Sequence, residues 1–83
     1  MNYYRAYITR GGKEHEVVAK LSNDGTYETG YEPETGPWIE IMCGPEWTEF
    51  ICFDDHGVEL QLTHGEIEYC IEQLNHTYWE EVL

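Results

Sequence analysis

From Leu21 to Leu83 the sequence contains no lysine and no arginine. That stretch of 63 residues carries 15 of the 17 carboxylates, and all four basic residues (Arg5, Arg10, Lys13, Lys20) precede it. Surfaces normally intersperse both signs, because a one-signed field repels itself and weakens the folded state. A net charge of −13 opposes direct binding to nucleic acid and to anionic membranes, and favours a cationic partner. Long apolar runs are also lacking. Nothing approaches the roughly 18 consecutive apolar residues of a membrane span. The segment MNYYRAYITR has no apolar run of signal-peptide type, so a cytoplasmic location is expected.

Recognisable chemistry is scarce too. Three cysteines (Cys43, Cys52, Cys70) are an odd number with no CxxC spacing. In a reducing compartment they read as small buried residues, in preference to a Cys43–Cys52 disulfide. His56, His64 and His76, with Asp54 and Asp55, are ligand types without zinc-site spacing. Asp54-Asp55-His56-Gly57 lacks the calcium-loop pattern and reads as a turn. No Ser-His-Asp or Cys-His arrangement follows from spacing, and a chain of 83 residues leaves little room for a substrate cleft. The expectation is a non-enzyme with no catalytic residues, no metal and no cofactor.

What is present specifies a single domain, 1–83. Seven Tyr, three Trp and two Phe supply core material. Residues 2–9 alternate as a strand, with Tyr4, Ala6 and Ile8 on one face. Gly11-Gly12 marks a tight hairpin, and a second strand near 14–21 places His15, Val17, Ala19 and Leu21 together. Ser22-Asn23-Asp24-Gly25 is a turn. Strands follow at 26–31, 38–43, 46–54 and 58–62, with an exposed Pro/Gly loop at 32–37. Aromatics on both faces of 46–54 point to a central strand.

The helix start is well marked. Thr63 is an N-cap with Glu66 three residues later, and Leu62 and Ile67 are placed for a hydrophobic staple. Ile67, Cys70, Ile71 and Leu74 form one apolar stripe. Asn75-His76-Thr77 reads as the helix end, and 78–83 as a last turn or a docking segment. The sum is an α+β fold: an antiparallel meander of five or six strands with one C-terminal helix packed on one face.

That fold directs Ile39, Ile41, Val58, Leu60 and Leu62 toward the helix and puts Glu40 and Glu59 on the uncovered sheet face, where Glu28 and Glu49 can join them. Strand spacing of about 4.8 Å and alternate-residue spacing of about 6.7 Å make such a grid similar to an array of phosphates. Glu68 and Glu72, at i and i+4, offer a second acidic group on the helix. Trp47 reads as core. Trp38, beside the Pro/Gly loop and on the Glu40 face, reads as a contact residue, since binding hot spots are rich in Trp. A solvated acidic surface serving only solubility is the plain alternative.

In its size, its Lys/Arg-free stretch 21–83 and its strands-plus-helix pattern, the chain resembles small acidic phage-encoded inhibitors, including anti-CRISPR proteins and other DNA mimics. The resemblance implies an inhibitor that binds the basic nucleic-acid-binding surface of a host defence complex, in the host cytoplasm, with Glu28, Trp38, Glu40, Glu49, Glu59, Glu68 and Glu72 as partner-binding residues. Two rivals stay open. One is an immunity protein or antitoxin that blocks a basic nuclease toxin. The other is a self-associating structural protein whose edge strands and aromatics build a homodimer.

Overall fold

The computed structural model describes residues 2–83. It has five antiparallel strands and one C-terminal helix, an α+β fold. The strands are β1 (Tyr3–Arg10), β2 (Lys13–Asn23), β3 (Thr26–Glu32), β4 (Gly36–Cys43) and β5 (Glu46–Cys52), and the helix is α1 (His64–Val82). They form two sheets where one was expected: a three-stranded sheet in the order β1-β2-β5 and a separate two-stranded ribbon, β3-β4.

β1 and β2 join through Gly11 and Gly12 at φ +56° and +76°. Positive φ at both central residues matches the right-handed twist of the flanking strands, and glycine adopts it without steric cost. The register pairs Ala6 with Val17 and Tyr4 with Ala19, which gathers the expected apolar set on one face. Tyr4 packs beside Ala6, Ile8, Val17, Ala19 and Leu21 there, and α1 covers them with Cys70, Leu74 and Tyr78. Trp47 is buried among them as expected, and its indole Nε1 donates to Asn75 Oδ1 at 2.7 Å.

β5 is an edge strand, contrary to the central position its two-sided aromatics suggested. Those aromatics have a local cause. Lys20 pairs with Thr48 but Val18 pairs with Ile51, so Glu49 and Phe50 together oppose Ala19, and Glu49 sits at φ +56°. This is a β-bulge, and it shifts the inward set from Trp47 to Phe50 and Cys52 instead of Glu49 and Ile51. Residues 58–62 do not form a strand. They run beside the end of β5, with one isolated bridge between Phe53 and Glu59 and a bond from Leu60 N–H to the Cys52 carbonyl at 2.7 Å, while Leu60 and Leu62 pack on the core and Val58 stays exposed.

The capping box of α1 is complete: Glu66 N–H donates to Thr63 Oγ1 at 3.2 Å and Thr63 N–H to Glu66 Oε1 at 2.9 Å. The helix does not end at 75–77. No Gly or Pro interrupts 75–82, and burial of Tyr78 and partial burial of Trp79 against the sheet carry it on to Val82. Gln73 lies along the free edge of β1. Its side-chain amide donates to the Tyr7 carbonyl at 2.7 Å and accepts from the Tyr7 N–H at 3.1 Å, so it substitutes for a neighbouring strand and blocks that edge.

The β3-β4 ribbon projects from this body as an arm. The radius of gyration is 16.1 Å and the principal extents are 57 × 25 × 20 Å. A compact chain of this length has a radius of about 12 Å. The arm is tied down at its base: the Tyr78 hydroxyl accepts from Gly25 N–H at 3.0 Å, and Tyr27 meets Trp79 edge-on with centroids 6.0 Å apart. Gly25 is needed there, because a Cβ would lie 2.7 Å from the Trp79 ring and 3.0 Å from the Cys43 carbonyl.

Candidate functional site: an acidic arm and helix

Directly opposed residues in the arm share a face. One face holds the pairs Glu28–Glu40, Gly30–Trp38 and Glu32–Gly36; the other holds Tyr27–Ile41, Thr29–Ile39 and Tyr31–Pro37. Three of the expected contact residues, Glu28, Trp38 and Glu40, therefore meet on one exposed surface. Trp38 lies flat across Gly30, where a Cβ would come within 2.4 Å of the indole, yet the side chain stays 39% exposed. Glu28 and Glu40 face each other across the strands with no Lys or Arg paired to either among the described residues, an arrangement that destabilises a sheet.

The other expected residues are dispersed. Glu49 sits at the bulge of β5, 4.0 Å from Lys20. Glu59 lies beyond β5, opposite Phe53. Glu68 is on the helix surface, 2.8 Å from His64, and Glu72 lines a groove of about 280 Å³ with Tyr69, Gln73 and His76. A single carboxylate grid on the open sheet face does not form. That face carries Arg5 and Lys20 beside Glu14 and Glu16, as the strand register dictates. Ile39 and Ile41, expected under the helix, lie on the arm, 55% and 49% exposed.

Each of the four cations lies within ion-pair distance of a carboxylate of the same chain. Arg10 grips Glu66 with two bonds, Nε to Oε2 at 2.8 Å and Nη2 to Oε1 at 2.6 Å, and also donates to the Gln61 carbonyl. This fork holds the Glu66 carboxyl down at about 2, with the Thr63 N–H bond adding to the effect. Lys13 pairs with Asp55, Arg5 with Glu16 at 3.7 Å and Lys20 with Glu49. Arg10 and Lys13 flank the β1-β2 turn, and β2 runs from there to the arm. At the arm end stand Asp24, Glu28, Glu32, Glu34, Glu40, Glu46, Glu80 and Glu81, none of them in an ion pair with Lys or Arg among the described residues.

Glu32 and Glu34 at the arm tip were not anticipated as contact residues. Their signal was present in Glu32-Pro33-Glu34-Thr35-Gly36-Pro37, an exposed acidic loop, but nothing local says that the loop caps a projecting ribbon.

Among the described residues no three His, Cys, Asp or Glu side chains converge as a metal site. The thiols of Cys52 and Cys70 are pushed up by burial, which makes them poor nucleophiles. A groove of about 520 Å³ runs between β1 and the end of α1, lined by Tyr3, Tyr4, Arg5, Tyr7, Thr77 and Glu81. Burial raises the Tyr4 phenol, and neighbouring Glu81 adds to the shift. No helix among the described residues is long and apolar enough to cross a membrane. In comparisons with known proteins, no family model, no curated protein and no solved structure matches the chain.

Proposed function

We propose that this chain is a non-enzymatic binding protein that docks its acidic arm on a Lys/Arg-lined nucleic-acid-binding surface and occupies it in place of backbone phosphates. The observation that carries this reading is the internal use of every cation while Glu28, Glu32, Glu34 and Glu40 remain exposed and uncompensated on the arm. Folding gains nothing from the Glu28–Glu40 opposition, so a cationic partner is its natural complement. Trp38, flat on the same face, supplies a desolvating anchor of the kind that dominates binding energy. The partner class is a basic nucleic-acid-binding protein or ribonucleoprotein of host defence, a CRISPR effector being the model case, and the consequence of docking is inhibition.

The test begins with affinity capture from host lysate and identification of the captured protein. Binding to it is then measured against salt and against competing nucleic acid. Competition and a steep loss of affinity with rising salt are expected. Glu28→Lys with Glu40→Lys should weaken binding far more than Glu68→Lys with Glu72→Lys. Salt-independent binding, or binding simultaneous with nucleic acid, would sink the proposal.

A further inference from the structure

The second face of the arm is uncharged: Tyr27, Thr29, Tyr31, Pro37, Ile39 and Ile41. Among the described residues the helix meets this face only at its base, where Trp79 packs edge-on against Tyr27. Tyr27, Tyr31, Ile39 and Ile41 are 40%, 71%, 55% and 49% exposed. A two-stranded ribbon on its own is marginally stable in water, and it gains stability when an apolar face is packed. We propose that this face is a homodimer interface, with two copies stacking their arms face to face about a twofold axis.

Three observations select a second copy over another occupant. A cationic partner is drawn to charge, and all of the arm's acids on strand positions (Glu28, Glu32, Glu40) lie on the opposite face. The surface that best complements an uncharged apolar ribbon is another uncharged apolar ribbon, and a twofold interface is self-complementary. Stacked sheets sit about 10 Å apart, which leaves the two acidic faces outward, on opposite sides of the pair. The area also suffices. At about 200 Å² for a full large side chain, the exposed fractions leave about 500 Å² per arm once Thr29 and Pro37 are included. Complete burial of both faces would remove about 1,000 Å² in total, the threshold for a specific interface. Body-to-body pairing through the edge of β1 is obstructed by Gln73.

Dimerisation is independent of the basic partner, and salt separates the two. Each copy carries −13, so screening strengthens association between copies while it weakens an acidic–basic complex. The experiment is sedimentation velocity or light scattering over a wide concentration range at low and high salt. The expected mass rises from 9.8 kDa toward twice that value with concentration, and more readily at high salt. Ile39→Lys should weaken the dimer at least tenfold even though it relieves net charge, and Tyr31→Ser should weaken it severalfold. Glu28→Gln with Glu40→Gln, on the other face, should leave it intact or tighten it. All four positions are exposed, so near-ultraviolet circular dichroism from the Trp47 core should not change in these variants. A wild-type chain that stays at 9.8 kDa throughout, or a dimer indifferent to Ile39→Lys, overturns the proposal.

Discussion

The chain contains two hairpins of similar sequence character. β1-β2 places Ala6, Ile8, Val17 and Ala19 on one face, each at most 2% exposed. β3-β4 places Tyr27, Tyr31, Ile39 and Ile41 on one face, and none is buried. Both alternate, both are antiparallel, and both are rich in β-forming residues. The difference is a third layer. α1 lies over the first hairpin and reaches only the base of the second, through Tyr78 and Trp79. Alternation therefore identifies a face that is able to be buried, and only an element of sufficient reach decides whether it is.

The contrast between body and arm breaks most sharply in denaturation. Leu74 is fully buried in the body, so Leu74→Ala should lower unfolding stability by about 2–5 kcal/mol. Ile39→Ala, at concentrations where the chain is monomeric, should change it by no more than about 0.5 kcal/mol. Urea titrations of both variants check this, and equal losses would mean that the arm is part of the core.

Next in size is the junction. In Gly25→Ala the new Cβ meets the Trp79 ring and the Cys43 carbonyl, and overpacking of this kind costs about 1–3 kcal/mol. Limited proteolysis should then cut within 26–43 faster than in the wild type, with the body left resistant. Uniform acceleration over the whole chain would show that arm and body unfold as one unit.

The smallest effect concerns Glu66, whose ion pair lies near the surface, where such pairs contribute modestly. Its folded carboxyl is held at about 2 against an ordinary value of 4.5. The contribution is thus fully present above about 4.5 and is lost as pH falls through about 2. Glu66→Gln keeps the capping-box geometry but removes this titration. The stability difference between wild type and Glu66→Gln, followed by urea midpoint against pH, should close over that interval. A difference unchanged by acid would remove Arg10–Glu66 as a link between the first hairpin and the helix.

Much of the candidate site was legible. The Lys/Arg-free stretch, the Glu40–Trp38 face and the exposed acidic loop are linear features. Strand alternation put Trp38 and Glu40 on one face that Glu28 could join; that the three sit on a separate ribbon was not legible. Glu59 was misplaced, and Glu49 reaches the open face beside Lys20 only through a bulge. The bulge at Glu49 and the failure of 58–62 to pair as a strand depend on how β5 docks on β2, and no residue pattern within those segments encodes it. The helix end was misread for a related reason. Asn75-His76-Thr77 has weak helix propensity, and the packing of Tyr78 and Trp79 outweighs it.

By itself the sequence determined the local elements: the Gly11-Gly12 turn by its positive φ, the helix start by a reciprocal cap, the apolar faces by their period, and the one-signed charge by composition. These are set by neighbours a few residues apart. The tertiary structure alone decided that β5 joins β2 across 22 intervening residues, 24–45, so that β3-β4 is left outside the sheet. Strand pairing at that distance is chosen by which faces can share the single helix, whose 19 residues span about 28 Å at 1.5 Å each. That length covers the body and stops at the base of the arm, leaving one acidic and one apolar surface for something outside the chain.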